Sequence, residues 1–261
     1  MEEERGIPRI LVIAGSDSGG GAGIQADIKT ITMLGGHAMT AITALTAQNT
    51  LGVQAVMPVP AEMVLAQIDS VLSDIGVDAV KIGMIGSADT AQAVAGRLEG
   101  LDVPIVFDPV MVSTSGSELA DAATIAAFER LMDVASVVTP NLPELNALGG
   151  EAAVLAHGCH LVAKGGHAEG NWIVDRLLAP NGREVARLEA KRFDTSETHG
   201  TGCTLASALA AGLGSGMSID EAFSQAVRFV RIAIIAAPGL GQGHGPIGHA
   251  LGYHPFEELE G

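Results

Sequence analysis

Short apolar runs, each ending in glycine or proline, recur along the chain and limit the folds that are open to it. They lie at Arg9–Gly15 and at residues 78–84, 103–110, 135–140 and 160–166. Runs of this kind are typical of parallel strands that are buried on both faces. Helical stretches separate most of them and would supply the crossovers that parallel strands need. The pattern therefore predicts an α/β fold with a parallel sheet and crossover helices.

The spacing of apolar residues predicts where the other elements lie. Residues 23–34 have helical spacing, which places Ile24, Ile28, Ile31 and Leu34 on one face of a helix. The other predicted elements are an extended segment at 37–46, helices at 61–75, Thr204–Leu213 and Ile219–Ala236, and a hairpin at 171–193 around Asn181-Gly182.

Composition indicates a cytoplasmic protein that binds neither nucleic acid nor membrane. The chain has 261 residues, 48% of them hydrophobic, and no long linker, so we expect one domain over residues 1–261. No apolar run reaches the roughly 18 residues of a membrane helix, and the acidic start is unlike a signal or transit peptide. A net charge of −16 and an aromatic content of 3% disfavour nucleic-acid binding. An anionic substrate would need cations and amides placed locally around it.

The segment ETHGTGCT places Cys203 directly after the turn Gly200-Thr201-Gly202, where a helix is predicted to begin. Backbone amides at a helix start bind anions, and the same position lowers the pKa of a thiol. Cys203 is therefore a nucleophile assisted by a histidine such as His199, a general base beside an anion site, or a helix-start residue without chemistry. The residues alone leave all three interpretations open.

Polar residues follow several predicted strands, at the edge where open α/β sheets bind ligands. Asn141 and Glu144 fit a helical capping box, and a carboxylate there is equally suited to the water shell of Mg²⁺. Lys164 is costly to bury unless it meets an anion, which favours a phosphate contact. Asp108 ends a strand in the same way and is suited to a cation.

Several common sites are excluded or disfavoured. The chain contains no Gly-Lys dipeptide and hence no phosphate-binding loop of the Walker A type. The run Gly15–Gly23 departs from the dinucleotide fingerprint, because Ile24 stands where the third glycine belongs. His157 and His160 fit no common zinc spacing, so a helix end leading into a strand is favoured there.

Seven segments occur in the order found in the hydroxymethylpyrimidine/phosphomethylpyrimidine kinases of thiamine biosynthesis, a branch of the ribokinase superfamily. Each is weak alone, but together they span Ile10 to about Pro246, and the chain resembles this family over nearly its whole length. The segments are AGSDSGGGAGIQADIKT, TAITALTAQNTLGV, KIGMIG, FDPVMVSTSG, TPNLPEL, AKGGH and THGTGCT.

The resemblance implies a three-layer αβα sandwich with a mainly parallel, ribokinase-like sheet, and a homodimer. It also implies a kinase that uses ATP and Mg²⁺ to phosphorylate 4-amino-5-hydroxymethyl-2-methylpyrimidine on its hydroxymethyl group, and then to phosphorylate the product again. In the wider superfamily an aspartate base follows the glycine-rich turn, and in this branch cysteine takes that position. Cys203 would thus be the general base, and the amides of Gly200–Cys203 would hold the transferring phosphoryl group.

Residue matching with the family implies further roles. A primary amide complements the donor and acceptor edge of an aminopyrimidine, so Gln48 would read the ring together with Asp27. The other implied contacts are Gly15 and Met84 against the ring, Asn141, Lys164 and Gly202 at the ATP phosphates, and Glu144 and Asp108 at Mg²⁺.

The sequence also departs from the family pattern and leaves rivals. Gly19 stands where serine is commoner, Thr114 stands where lysine is frequent, and the segment between Glu144 and Lys164 is shorter than usual. A pyridoxal or pyridoxine kinase is the nearest rival. A cysteine hydrolase would use Cys203 with His199 but would leave Lys164 unexplained, and a pure binding module would leave the anion site unexplained.

Overall fold

Nine strands form one sheet in the computed structural model, which describes residues 6–167 and 170–251. In chain order the strands are β1 (Arg9–Asp17), β2 (His37–Asn49), β3 (Gly52–Pro58), β4 (Ala79–Ile82), β5 (Ile105–Phe107), β6 (Val137–Val138), β7 (His160–Ala163), β8 (Trp172–Leu178) and β9 (Glu184–Lys191). They lie side by side in the order β3-β2-β1-β4-β5-β6-β7-β8-β9. The strands from β2 to β7 in that order are parallel, whereas β3, β8 and β9 pair antiparallel at the two edges. The predicted parallel sheet is confirmed.

Helices cover both faces of the sheet. Alternate side chains of β1 enter two different cores, because successive residues of a strand point to opposite faces. Leu11 and Ile13 belong to the core under one helical layer, and Ile10 and Val12 belong to the core under the other. The first layer contains α2 (Ala61–Asp74), α3 (Ala88–Leu98), α4 (Ala122–Val134), α5 (Leu142–Ala147) and α6 (Glu151–Leu155). The second contains α1 (Gly23–Met33), α7 (Thr201–Gly214) and α8 (Ile219–Ile235). The three-layer αβα architecture is therefore confirmed.

Most predicted elements form, with two local differences. The hairpin is β8 and β9, and Gly182 has a φ of +79° in its turn. Ile28, expected on the buried face of α1, is 38% exposed, whereas Asp27 is fully buried. The buried face of α1 thus includes Asp27 instead of Ile28, because Lys81 on β4 neutralises the Asp27 carboxylate. Helix α7 begins at Thr201 rather than Thr204, since the preceding Gly200 adopts a left-handed conformation that turns the chain into the helix.

Two further predictions concern the number of domains and the absence of a membrane-spanning helix. Residues 1–5, 168–169 and 252–261 lie outside the described residues, so a single domain over residues 1–261 stays a prediction. Within the described ranges, none of the helices combines the length and apolar character that a membrane crossing requires.

Candidate active site

A cavity of about 1360 Å³ opens at the carboxyl ends of the parallel strands. Asp17, Met84, Asp108 and Lys164 reach it from the ends of four of these strands or from the residues directly after them. The start of α7 lines the same cavity. Open α/β sheets bind ligands at this edge, where neighbouring strand ends bring their loops together. Every predicted site residue except Asp27 lines the cavity.

Asp27 is enclosed in the core instead. Lys81 Nζ donates to its two carboxylate oxygens at 3.0 and 2.9 Å, and Ser207 Oγ donates to one of them. Burial alone would lower the pKa of Lys81, but the adjacent carboxylate raises that pKa above its ordinary value. The resemblance implied that Asp27 reads the pyrimidine together with Gln48, but its carboxylate already has its partners inside the protein and does not line the cavity.

Asp17, which the sequence analysis did not single out, organises the glycine-rich loop after β1. Its carboxylate accepts backbone hydrogen bonds from Gly19, Gly21 and Ala22 at 2.8, 3.0 and 2.8 Å. His199 Nε2 lies 2.9 Å from Asp17 Oδ2. Burial acts to raise the pKa of Asp17, but the hydrogen bonds from His199 and the loop amides hold it below its usual value. One ionised carboxylate therefore ties the loop to the segment that precedes α7.

Gln48 lies near the end of β2, with its amide between two polar neighbours. Gln48 Oε1 is 3.3 Å from Thr46 Oγ1, and Gln48 Nε2 is 3.2 Å from His199 Nε2. The other ring nitrogen of His199, Nδ1, is 3.2 Å from Thr114 Oγ1. Both nitrogens of His199 thus contact residues other than Cys203, and the pair that a cysteine hydrolase needs is not formed.

Gly15 and Met84 form an apolar wall of the cavity. A Cβ atom at residue 15 would clash with the terminal methyl group of Met84, so the absence of a side chain lets Met84 lie across the strand end. Thr43 Oγ1 donates to Met84 O at 2.6 Å and fixes the backbone there. Glycine at residue 15 thus leaves space for the Met84 side chain in this wall.

The start of α7 provides backbone amides beside a lysine. Gly200 has a φ of +88°, and a Cβ on it would clash with Gly21 O, so the position requires glycine. The first amides of a helix have no acceptor within the helix. A Cβ on Gly202 would lie 3.2 Å from Lys164 Nζ and 3.7 Å from Asp108 Oδ2. The helix start, the lysine and the aspartate therefore form one compact group.

The thiol of Cys203 is less acidic than its position at a helix start predicts. Burial raises its pKa to about 11, and the carboxylates of Asp27 and Asp108 act in the same direction, while Lys81 opposes them. The expected lowering of the pKa is wrong, because loss of water around the sulfur outweighs the field of the helix. At neutral pH the group is a thiol.

Lys164 joins two carboxylates at the other side of the cavity. Its Nζ lies 2.7 Å from Asp108 Oδ1 and 3.9 Å from Glu144 Oε2, and Thr139 Oγ1 donates to Asp108 Oδ1 at 3.1 Å. Burial tends to lower the pKa of Lys164, but the two carboxylates raise it. Because one lysine faces two carboxylates, the group is suited to bind a further cation.

Glu144 also closes the capping box of α5. Its carboxylate accepts from the Asn141 backbone amide at 2.7 Å, and Asn141 Oδ1 accepts from the Glu144 amide at 2.9 Å. Burial raises the pKa of Glu144 to about 7, although Lys164 acts to lower it. The capping role predicted from the sequence is confirmed, and the same carboxylate lines the cavity.

Protein side chains alone do not build a metal cage in the described residues. No group of three or more His, Cys, Asp or Glu side chains is arranged there to hold an ion. His157, part of the disfavoured zinc pattern, has its Nδ1 2.7 Å from Asp133 Oδ1.

Comparison with known proteins identifies the family. Residues 17–248 match the model of the phosphomethylpyrimidine kinase family. The hydroxymethylpyrimidine/phosphomethylpyrimidine kinase of Streptomyces coelicolor is 49% identical over 261 residues, which cover 94% of this chain and 96% of the relative.

Two solved structures show the same fold. An ADP complex of Bacillus subtilis pyridoxal kinase has a TM-score of 0.85 and 33% identity over 94% of this chain and 98% of that chain. The phosphomethylpyrimidine kinase of Clostridium difficile has a TM-score of 0.74 and 35% identity over 88% of this chain and 100% of that chain. The ribokinase-like fold is confirmed. With the family model matched over most of its length, this chain belongs to the phosphomethylpyrimidine kinase family.

Proposed function

We propose that this chain is a bifunctional kinase of thiamine biosynthesis. It transfers a phosphoryl group from ATP to the hydroxyl of 4-amino-5-hydroxymethyl-2-methylpyrimidine, and a second one to the phosphate of the product. The observation that carries the proposal is that an amide suited to the pyrimidine and a helix start suited to phosphate line one cavity. The membership of the chain in the phosphomethylpyrimidine kinase family supports the same assignment.

Gln48 would read the pyrimidine ring. An aminopyrimidine presents an exocyclic NH₂ donor beside a ring-nitrogen acceptor, and a primary amide offers the complementary acceptor and donor. Gly15 and Met84 supply the apolar surface that a flat ring needs. Asp27 has no part in this recognition, since Lys81 and Ser207 already hold its carboxylate.

The phosphate end of the cavity would stabilise the charge that moves during transfer. Lys164 and the first amides of α7 are fixed donors beside the place where the transferring group must pass, and such donors act strongly where water is excluded. In the first step the substrate oxygen bonds to the γ-phosphorus of ATP, the bond to the departing ADP breaks, and the hydroxyl proton leaves. The thiolate form of Cys203, the minority form at neutral pH, accepts that proton. In the second step a phosphate dianion attacks and needs no base, because its second pKa is about 6.

The donor set also fits Mg²⁺ held largely by phosphates. Mg²⁺ in phosphoryl-transfer enzymes keeps several waters and uses one or two carboxylates together with substrate phosphates. Asp108 and Glu144 are two such carboxylates, and both approach the same lysine nitrogen. A bound ion would neutralise phosphate charge. Asp108 and Glu144 would hold its water shell, while Lys164 and Asn141 would hold phosphate oxygens.

A pyridoxal kinase is the second candidate, because the pyridoxal kinase structure from Bacillus subtilis has a TM-score of 0.85 with this chain. A pyridine vitamer lacks the aminopyrimidine edge, so the Gln48 amide would lose its complementary partner. We therefore expect pyridoxal to be a weaker substrate. Purified protein with MgATP, each of hydroxymethylpyrimidine, its monophosphate and pyridoxal, and product masses would test this. A higher kcat/KM for pyridoxal would overturn the pyrimidine assignment.

The role of Cys203 has its own test. Cys203→Ala should slow the first phosphorylation by roughly 10²–10⁴-fold, the usual contribution of a positioned base, and should slow the second far less. With a thiol pKa of about 11, the first rate should also rise with pH across the neutral range. Cys203→Asp, ionised at pH 7, should flatten that rise. Equal losses in both steps for Cys203→Ala would show that the residue shapes the helix start instead.

The cytoplasmic homodimer expected from the sequence is also part of the proposal. Leu45 on β2 pairs with Met57 on the edge strand β3, and both are exposed, at 41% and 59%. Val56 on β3 and Met63 on α2 are exposed as well. Exposed apolar residues along an edge strand are typical of association surfaces. Sedimentation equilibrium should give twice the chain mass, and Met57→Glu should lower it to one chain.

A further inference from the structure

The Gln48 amide lies in a chain of polar contacts that no catalytic step uses. Thr46 Oγ1 is at one end of the amide at 3.3 Å, and His199 Nε2 is at the other at 3.2 Å. An amide oxygen and an amide nitrogen are distinguished by their partners rather than by their shape. The partners at both ends therefore decide which atom of Gln48 faces which neighbour.

The Thr46 end requires a donor from the amide. A hydroxyl has one proton, and Thr46 Oγ1 donates it to the Ser16 carbonyl oxygen at 2.9 Å. A carbonyl oxygen only accepts, so this bond uses the Thr46 proton. Toward Gln48 the hydroxyl can then only accept, and an amide oxygen facing it would have no proton between the two atoms.

The His199 end requires an acceptor from the amide. Asp17 Oδ2 lies 2.9 Å from His199 Nε2 and also accepts from the amides of Gly21 and Ala22. Since this carboxylate is ionised and only accepts, Nε2 must carry the proton. Thr114 Oγ1, at 3.2 Å from Nδ1, donates to the opposite ring nitrogen in this tautomer. The Nε2 proton that is donated to Asp17 can be shared with an amide oxygen of Gln48 in a three-centre hydrogen bond, whereas an NH₂ group facing Nε2–H would set donor against donor.

Both ends thus favour the reverse of the atom assignment given above for the site, with the Gln48 NH₂ toward Thr46 and its oxygen toward His199. We propose that Thr46, His199 and Asp17 are positioning residues, which fix this orientation of the Gln48 amide and thereby select an amino over an oxo group beside the ring nitrogen of the substrate. The inference rests on the proposed function, because it concerns how Gln48 reads the pyrimidine.

The selection follows from the atoms that remain for the ligand. One lone pair of the Gln48 oxygen and one N–H of its nitrogen are free, in a fixed order. The 4-amino substrate offers a donor at position 4 and an acceptor at the ring nitrogen. The 4-oxo analogue offers the reverse, an acceptor at position 4 and an N–H in the ring. An amide that is free to rotate by 180° would accept both, whereas a fixed amide leaves unpaired buried groups with one of them.

The experiment compares kcat/KM for the 4-amino substrate and its 4-oxo analogue in matched variants. Thr46→Val removes the acceptor, and Thr46→Ser keeps it. His199→Leu removes the donor, and His199→Gln retains an N–H. We expect the amino-to-oxo ratio to fall by about tenfold or more in Thr46→Val and His199→Leu, with smaller changes in the two controls. The KM for ATP and the unfolding midpoint report any general damage.

The outcomes separate this inference from the proposed function. If the wild-type protein phosphorylates neither compound, the proposed function fails. If it prefers the 4-amino substrate and both disruptive variants keep the same ratio while losing rate equally on the two compounds, the positioning role is overturned and the function stands. Should one disruptive variant fail to fold, the pair at the other end of the amide decides.

Discussion

Two lysine–aspartate pairs occupy neighbouring parts of the molecule and differ in what surrounds them. Lys81 and Asp27 are both fully buried, and Ser207 completes the set. Lys164 and Asp108 are 12% and 1% exposed, and Glu144 adds a second carboxylate at 3.9 Å from the lysine. The first group is neutral and satisfied by protein atoms. The second has two carboxylates for one lysine and faces a cavity.

The difference separates a structural ion pair from a ligand-binding one. A neutral pair inside the core ties α1, β4 and α7 together and has no bonding capacity left for a ligand. The open group has a second carboxylate, and its lysine nitrogen lies close to the helix start at Gly202. Residue types alone do not distinguish the two cases. The number of carboxylates for each lysine and the access of solvent distinguish them.

The largest expected effect is a loss of stability when the buried Lys81–Asp27 pair, the closed pair, is broken. Lys81→Met should lower the free energy of unfolding by about 3–5 kcal/mol, because it leaves the Asp27 carboxylate buried without its cation. The double variant Lys81→Met/Asp27→Leu should recover part of this loss. Urea unfolding measures both. The second phosphorylation, which needs no base, should retain its rate per folded molecule, and a large loss of that rate would place Lys81 in the catalytic machinery.

For the Lys164–Asp108 pair, the open pair, we expect a large loss of activity and a smaller loss of stability. Lys164→Met should lower kcat/KM by about 10²–10³-fold in both phosphorylations, as expected when one fixed donor to a developing charge is removed. Stability should fall less than in Lys81→Met, since Glu144, with a pKa of about 7, readily takes up a proton beside Asp108. Steady-state kinetics and urea unfolding of the two lysine variants in parallel test the contrast. A stable, fully active Lys164→Met protein would contradict it.

The sequence predicted what local patterns determine. Apolar runs marked the parallel strands, Asn181-Gly182 marked the hairpin, and the spacing of Asn141 and Glu144 marked a capping box. Strand β3 was missed because its side chains are mostly exposed and show no burial alternation. Asp27 was assigned to the substrate by matching with the family. Its partner Lys81 is distant in sequence, and only the fold brings the two together.

Asp17 was also missed, although a local signal exists. An aspartate directly before a Ser-Gly-Gly run commonly accepts the backbone amide two residues later, as Asp17 does with Gly19. The elevated pKa of Cys203 had no such signal. It depends on how much water the surrounding elements exclude, which spacing along the chain does not determine.

A smaller effect is expected when the extra carboxylate of the open group is neutralised. Glu144→Gln should raise the Mg²⁺ concentration for half-maximal rate by about tenfold or more, since it weakens a partner of the ion's water shell. The capping box of α5 should persist, because glutamine also accepts at this position. Glu221 forms the same box with Ser218 on α8, so Glu221→Gln is the matched control. An unchanged Mg²⁺ dependence with reduced stability would leave Glu144 with a capping role alone.

The smallest expected effect comes from removing the hydroxyl group that donates a hydrogen bond to each aspartate, and it should differ between the two pairs. Ser207 donates to Asp27, and Thr139 donates to Asp108 at 3.1 Å. Removing a neutral donor from a buried carboxylate that keeps its lysine typically costs about 1–2 kcal/mol. Ser207→Ala should show this loss in urea unfolding, because no water reaches the closed pair. Thr139→Val should lose less stability, because Asp108 lines the cavity and water can replace the hydroxyl. Thr139→Val should instead raise the KM for MgATP, since Asp108 is then held by Lys164 alone. Equal losses of stability with no change in the KM for MgATP would mean that water reaches Asp108 no better than it reaches Asp27.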